Sequence, residues 1–265
     1  MKTGIDVSSH QGGINWNSVK TDFAIIRAGW SWYAGGMDVD KQFHTNVAGA
    51  EKAGIPWGVY LYAYDKSPEA ARSSARTLAK LLRGYKLSYP VAYDFEDKQY
   101  RQNSREENTA ICKAFLEEME SLGFYTMLYT YTNFADGYLN MKDLRQYDFW
   151  VADYRVQLGY QGAFGMWQYS SSGRVDGIAT VVDLNRAYRD YPAIMERTGL
   201  NGFGKGEEPD ESCPDADELA ALKEELAAAQ RRQEIAEEAQ AEAEKKLEDL
   251  KEKIQAVIAG LEAMV

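Results

Sequence analysis

The stretch "PVAYDFED", residues 90–97, begins as a buried strand and ends in acids. Val91, Ala92 and Tyr93 are small or β-prone. Side chains alternate along a strand, so Asp94 and Glu96 share one face while Phe95 takes the other. Two like charges on one face of an apolar strand cost free energy unless one keeps its proton or a counter-charge lies close. The segment therefore predicts a strand that ends in a working carboxylate pair.

Seven further strand candidates surround it: "TGIDVS" (3–8), "FAIIRAG" (23–29), "PWGVYLYAY" (56–64), "FYTMLYTY" (124–131), "FWVADY" (149–154), "GMWQYS" (165–170) and "TVVDLN" (180–185). Helical patterns separate several of them. Residues 38–54, 67–84 and 104–123 each end in Gly. The second opens on Ser67-Pro68, and the third on Ser104 with Glu107 in capping-box spacing. Eight strands with intervening helices predict an α/β fold, a (β/α)8-type barrel that is irregular where its last connections are short. A doubly wound open sheet is the competing arrangement.

The chain divides by composition. Residues 1–200 carry 22 Lys+Arg against 23 Asp+Glu, a catalytic-sized body near neutrality. Residues 201–265 carry 8 against 18 and hold nearly all of the net charge of -11. Neither part has the basic surface that nucleic acid would require. No apolar run is long enough to span a bilayer, and no apolar h-region follows Met1. The expectation is synthesis in the cytoplasm without a signal peptide, with no membrane insertion. Residues 201–215, "NGFGKGEEPDESCPD", mix Gly, Pro and acids and read as a linker. In residues 216–265, Leu219, Leu226, Leu247, Ile254 and Leu261 fall on one heptad seam, and Leu222, Leu250, Val257 and Met264 on the other. A long C-terminal coiled-coil helix that forms a homo-oligomer is expected, with Gln233 and Gln240 weakening its middle. A lone solvated helix is the alternative.

Asp6 in "GIDVSS" and Asp183 in "VVDLN" occupy strand positions resembling that of Asp94. In a barrel the first and eighth strands are neighbours, so both acids can meet the pair from strand four at the mouth. Taken singly, each also suits a helix cap or turn. Four converging carboxylates fit glycoside hydrolysis, which needs one protonated acid and one ionised group. Same-face strand neighbours are spaced by ~6.5–7 Å of strand rise, between the retaining and inverting separations, so the stereochemical course stays open. Tyr60, Tyr62, Tyr64, Tyr129 and Tyr131 alternate on their strands, as do Trp167 and Tyr169 with Gln168 on the opposite phase. Such rings suit a carbohydrate groove, although each alone also suits a core. The two histidines, His10 and His44, leave little for a His-rich zinc site, and no G-x-S-x-G elbow or Walker loop is present.

The pieces "GIDVSSHQG", "FAIIRAG", "GIPWGVYLYAY", "PVAYDFED", "WVADY", "MWQYSSSGRVDGI" and "VDLN" occur in an order that resembles the family-25 glycoside hydrolases, lysozymes (N-acetylmuramidases) common among phage endolysins. The likeness covers residues 3–190; the tail lies outside it. Leu61 departs from the family, where many members carry His. The resemblance implies a flattened barrel that cuts the β-1,4 bond between N-acetylmuramic acid and N-acetylglucosamine of bacterial peptidoglycan, reached after release from the producing cell. It implies Glu96 as general acid, Asp94 as the group that orients the N-acetyl group or supports the cation, and Asp6 and Asp183 as the acidic floor. Tyr62, Tyr64, Tyr129, Trp167 and Gln168 would bind substrate, with no metal and no cofactor. A silent wall-binding module made multivalent by its coiled coil, and a metal-dependent barrel enzyme, are the other readings.

Overall fold

A computed structural model describes residues 1–204. The expected coiled coil at 216–265 and most of the expected linker lie outside the described residues. The elements in chain order are β1 (Lys2–Val7), β2 (Phe23–Ser31), β3 (Met37–Val39), α1 (Phe43–Lys52), β4 (Trp57–Tyr62), α2 (Pro68–Leu82), β5 (Val91–Asp94) and α3 (Arg105–Ser121). Then follow β6 (Thr126–Tyr131), α4 (Thr132–Tyr138), β7 (Asp148–Ala152), β8 (Met166–Gly173), β9 (Val182–Ala187) and α5 (Tyr191–Thr198). Among the described residues, no helix is long and apolar enough to cross a membrane.

Eight strands close into a barrel, since β1 pairs with both β2 and β9. The strands from β1 to β8 that line it run parallel. β9 runs antiparallel to both its neighbours, which is where the barrel departs from a regular (β/α)8 repeat. Short links leave no room for the helical crossover that a parallel strand needs. β3 is a short antiparallel addition to β2 that the sequence reading placed inside the first helix. That helix starts at Phe43 rather than 38, because Asp40 accepts the Gln42 N–H at 2.8 Å and ends β3 in a turn.

Strand alternation sorts the core into two layers. Phe23, Ile25, Met127, Trp150 and Met166 fill the barrel. Ile26, Val59, Tyr93, Leu128 and Phe149 face outward and share a core with Phe43, Leu78 and Phe115 of the helices. Leu61 is fully buried in this outer layer, opposite in phase to Tyr60 and Tyr62, so the departure from the family pattern falls away from the acids. α5 closes the end where the parallel strands begin: its Tyr191 joins the inner core and donates to Asp148 at 2.8 Å. Asn201, assigned to the linker by composition, is fully buried there. Its side chain donates to the carbonyls of Leu87 and Tyr89 and accepts from the Tyr125 N–H. The barrel unit thus extends a few residues past 200.

The helix signals behave as local chemistry requires. Ser67 caps α2 by accepting from the Ala70 N–H. Ser104 and Glu107 form the reciprocal capping box on α3. Gly54, Gly84 and Gly123, after the three helices, all adopt positive φ. Ser104→Ala should cost about 1 kcal/mol, read as a lower urea midpoint with unchanged activity, because the Glu107 N–H at the helix start loses its side-chain acceptor far from the acids.

Candidate active site

The parallel strands deliver their C-terminal ends to one mouth, and the acids collect there. Asp6 lies near the end of β1, Asp94 ends β5, and Glu96 follows two residues on. Asp183 arrives differently from the expectation. It stands near the start of β9, and only the reversed direction of that strand brings it to the mouth, directly opposite Asp6 in the pairing register. All four carboxylates line a single cavity of about 240 Å³, together with Tyr62, Tyr129 and Gln168.

Two amide relays orient Asp6. The Tyr129 and Tyr154 hydroxyls donate to Gln168 Oε1 at 2.9 and 2.8 Å, and Gln168 Nε2 donates to Asp6 Oδ2 at 2.9 Å. The Trp150 indole N–H donates to Asn185 Oδ1 at 2.9 Å, and Asn185 Nδ2 donates to the same Asp6 oxygen at 2.7 Å. With each amide oxygen occupied by donors, each amide nitrogen must turn to Asp6. Burial, and then Asp183, still push the Asp6 pKa up to about 8 against these two donors.

The other three acids are raised as well. Burial, followed by Asp183 and Asp97, lifts Glu96 to about 7, with Tyr129 pulling the other way. Burial, then Glu96 and Asp6, raises Asp94 well above the ordinary carboxylate range, while Arg27 lowers it. Burial raises Asp183. Four acids around one cavity cannot all ionise near neutrality, so the site holds both a proton donor and a carboxylate. Asp94 Oδ1 is buried without a hydrogen-bond partner, an acceptor left unsatisfied at the cavity wall.

Arg27 is a cavity residue that the sequence reading passed over. It follows Phe23 and Ile25 in inward phase on β2 and lines the acid cavity. Its guanidinium pairs with buried Asp40 at 2.6 Å and donates to Ser9 Oγ at 3.0 Å. Burial raises Asp40, but the Gln42 and Ser9 N–H groups and Arg27 outweigh it and hold it below its ordinary value. The signal was a lone charge on the inward face of an apolar strand. Tyr60, Trp150 and Tyr154 also line the cavity. Tyr60 was grouped with the groove aromatics without being named as a substrate contact, and Asn185 shares the inward phase of Asp183.

Two expected substrate contacts lie elsewhere. Tyr64 lines a neighbouring hollow with Arg27, Trp30 and Lys41, which Tyr62 connects to the acid cavity. Trp167 is corrected. With Gln168 inward, alternation turns Trp167 into the outer core, where its indole N–H donates to the Asp153 carbonyl at 2.7 Å. There it secures the turn that carries Tyr154, while Arg186 lies over its ring and that of Tyr169.

Comparison with known proteins agrees with this geometry. Residues 5–178 match the model of the glycosyl hydrolases family 25. The chain is 30% identical over 188 residues to the autolytic lysozyme of Clostridium acetobutylicum, covering 69% of this chain and 54% of that protein. Among solved structures it resembles the modular autolysin LytC from Streptococcus pneumoniae at 30% identity with a TM-score of 0.63, covering 69% of this chain and 46% of that one. LytC has also been solved in complex with a synthetic peptidoglycan ligand. The bacterial lysozyme from Streptomyces coelicolor matches at 26% identity with a TM-score of 0.63, over 76% of this chain and 98% of that one. The chain spans about half the length of the first of these relatives. By its strand order, its acid-lined mouth and the match over most of the barrel, the chain belongs to the glycosyl hydrolases family 25.

Proposed function

We propose that the barrel hydrolyses the β-1,4 bond between N-acetylmuramic acid and N-acetylglucosamine in bacterial peptidoglycan, with Glu96 as general acid. The observation that carries this reading is the meeting of four raised carboxylates in one cavity, with Glu96 poised near 7. Glu96 gives its proton to the glycosidic oxygen as the bond to the anomeric carbon breaks. Asp94, with an unsatisfied acceptor oxygen, holds the N-acetyl N–H or faces the cationic centre. Water then adds to the anomeric carbon and returns its proton to Glu96. Asp6 and Asp183 keep the floor acidic, and burial with Asp183 and Asp97 sustains the raised pKa of Glu96. Tyr62, Tyr129 and Gln168 shape the wall of the cavity. The names of the lysozyme and autolysin relatives support a wall polymer as partner. The heptads of 216–265 support self-association on the sequence pattern alone.

The test is the chemistry of the released ends. Purified wall treated with the protein should show new reducing ends on N-acetylmuramic acid. New ends on N-acetylglucosamine would overturn the bond assignment. Wall binding with no new ends would instead favour a silent binding module.

A further inference from the structure

The turn between β2 and β3 shows large rings to solvent. Trp32 is 49% exposed and Tyr33 56%. Clustered apolar exposure of this kind marks an interaction surface. The backbone that carries the rings is fixed in place. The Trp32 N–H donates to the Gly36 carbonyl and the Gly35 N–H to the Trp32 carbonyl, both at 3.0 Å. Ser74 Oγ on α2 donates to the Gly36 carbonyl at 2.9 Å, and the Lys66 N–H to the Tyr33 carbonyl at 3.1 Å. Gly36 lies so close beneath Trp32 that a Cβ there would come within 2.8 Å of the indole. A platform already ordered loses little rotamer freedom when a ligand arrives.

The exposed rings continue inward to the acids. Tyr33 stands edge-on to Tyr64 at 6.0 Å, and Tyr64 lies 5.0 Å from Tyr62, which lines the acid cavity. Trp30 lines both the inner hollow and the outer cleft of about 260 Å³ that Trp32 and Tyr33 form. Lys66 caps the far side of Tyr33, with its ammonium 4.0 Å from the ring centre. Pyranose rings offer apolar C–H faces and hydroxyl edges. Indole and phenol rings match both, through their faces and their polar tips. Continuity with the cavity commits the surface to the polymer whose bond the acids cut.

We propose that Trp32 and Tyr33 form a glycan-binding platform, holding sugars of the same strand remote from the bond being cleaved. This rests on the muramidase reading of the acid cavity. Intact wall therefore engages both regions, whereas an oligosaccharide that only fills the acid cavity engages one.

The test is the double variant Trp32→Ala/Tyr33→Ala, assayed on purified wall and on a short N-acetylglucosamine–N-acetylmuramic acid oligosaccharide. Loss of two stacked rings should raise KM on wall by about tenfold while kcat/KM on the short substrate stays within about twofold. The conservative variant Trp32→Tyr/Tyr33→Phe should restore wall KM. An unchanged wall KM, or an equal loss on both substrates, overturns the proposal. Should the parent protein cleave neither substrate, the muramidase reading fails separately. Pull-down of the Glu96→Gln protein by wall then decides the platform: weaker capture after the alanine substitutions upholds it, and unchanged or absent capture overturns it.

Discussion

Glu96→Gln should abolish wall clearing, with kcat reduced by roughly 10²–10⁴. The substitution keeps size and hydrogen-bonding capacity but leaves no proton to give to the leaving oxygen. The fold should survive, because Glu96 lies beyond the end of β5 and the change removes a charge from a crowded acid cluster. The same assignment dictates the pH profile of the parent protein. Burial, then Asp183 and Asp97, raise Glu96 to about 7, so activity should fall as pH rises through that value and the donor ionises. Asp183→Asn removes the largest charge contribution to that rise and should move the alkaline limb to lower pH. Clearing by Glu96→Gln at parental rates, measured by turbidity loss of wall suspensions, would end the acid assignment. An alkaline limb unmoved in Asp183→Asn would show that the two carboxylates do not couple.

Asp94→Asn should lower kcat about 10²–10³-fold while making the protein more stable above neutrality. The loss follows from replacing the carboxyl that would orient the N-acetyl group or face the cation with an amide that can never ionise. The gain in stability follows from linkage. Burial, Glu96 and Asp6 raise the folded pKa of Asp94, and Asp6 itself is pushed from 3.8 to about 8. Between its unfolded pKa and its raised folded one, Asp94 makes the folded state bind more protons than the unfolded chain, so stability falls as pH rises. The Asn variant carries no ionisable group there and avoids its share of the fall. Urea midpoints should therefore diverge at pH 8, with the variant higher, and converge below about pH 3, where the acid is protonated folded or unfolded. A variant less stable than the parent at pH 8 would mean that Asp94 is held chiefly by favourable contacts. Activity and stability trade against each other at this position because the site concentrates like charge.

Much of this was legible in local pattern. The alternation of "PVAYDFED" correctly put Asp94 and Glu96 on one side, and the same rule applied to "FAIIRAG" singles out Arg27. Ser67, Ser104 and the glycines ending three helices act through contacts only a few residues long, so composition alone reveals them. β3 escaped notice because three residues leave too short a period to detect, and its pairing with Gly29–Ser31 is a tertiary fact. The role expected of Trp167 went astray because it was grouped with the groove aromatics, while the neighbouring Gln168 took the inward phase.

The sequence by itself determined the eight strands that close the barrel, which of their faces are apolar, where three helices stop, and that acids stand near strand ends. Each depends on backbone geometry and near neighbours. Tertiary structure alone decided that β9 runs backward, so that Asp183 meets Asp6 across a pairing 177 positions apart in the chain. It also decided that Gln168 and Asn185 aim their amides at one carboxylate oxygen, and that Arg27 is tied to Asp40 beside Asp94. The raised acidity constants belong to this second class. They arise from the exclusion of water and from charges brought together only when the barrel closes.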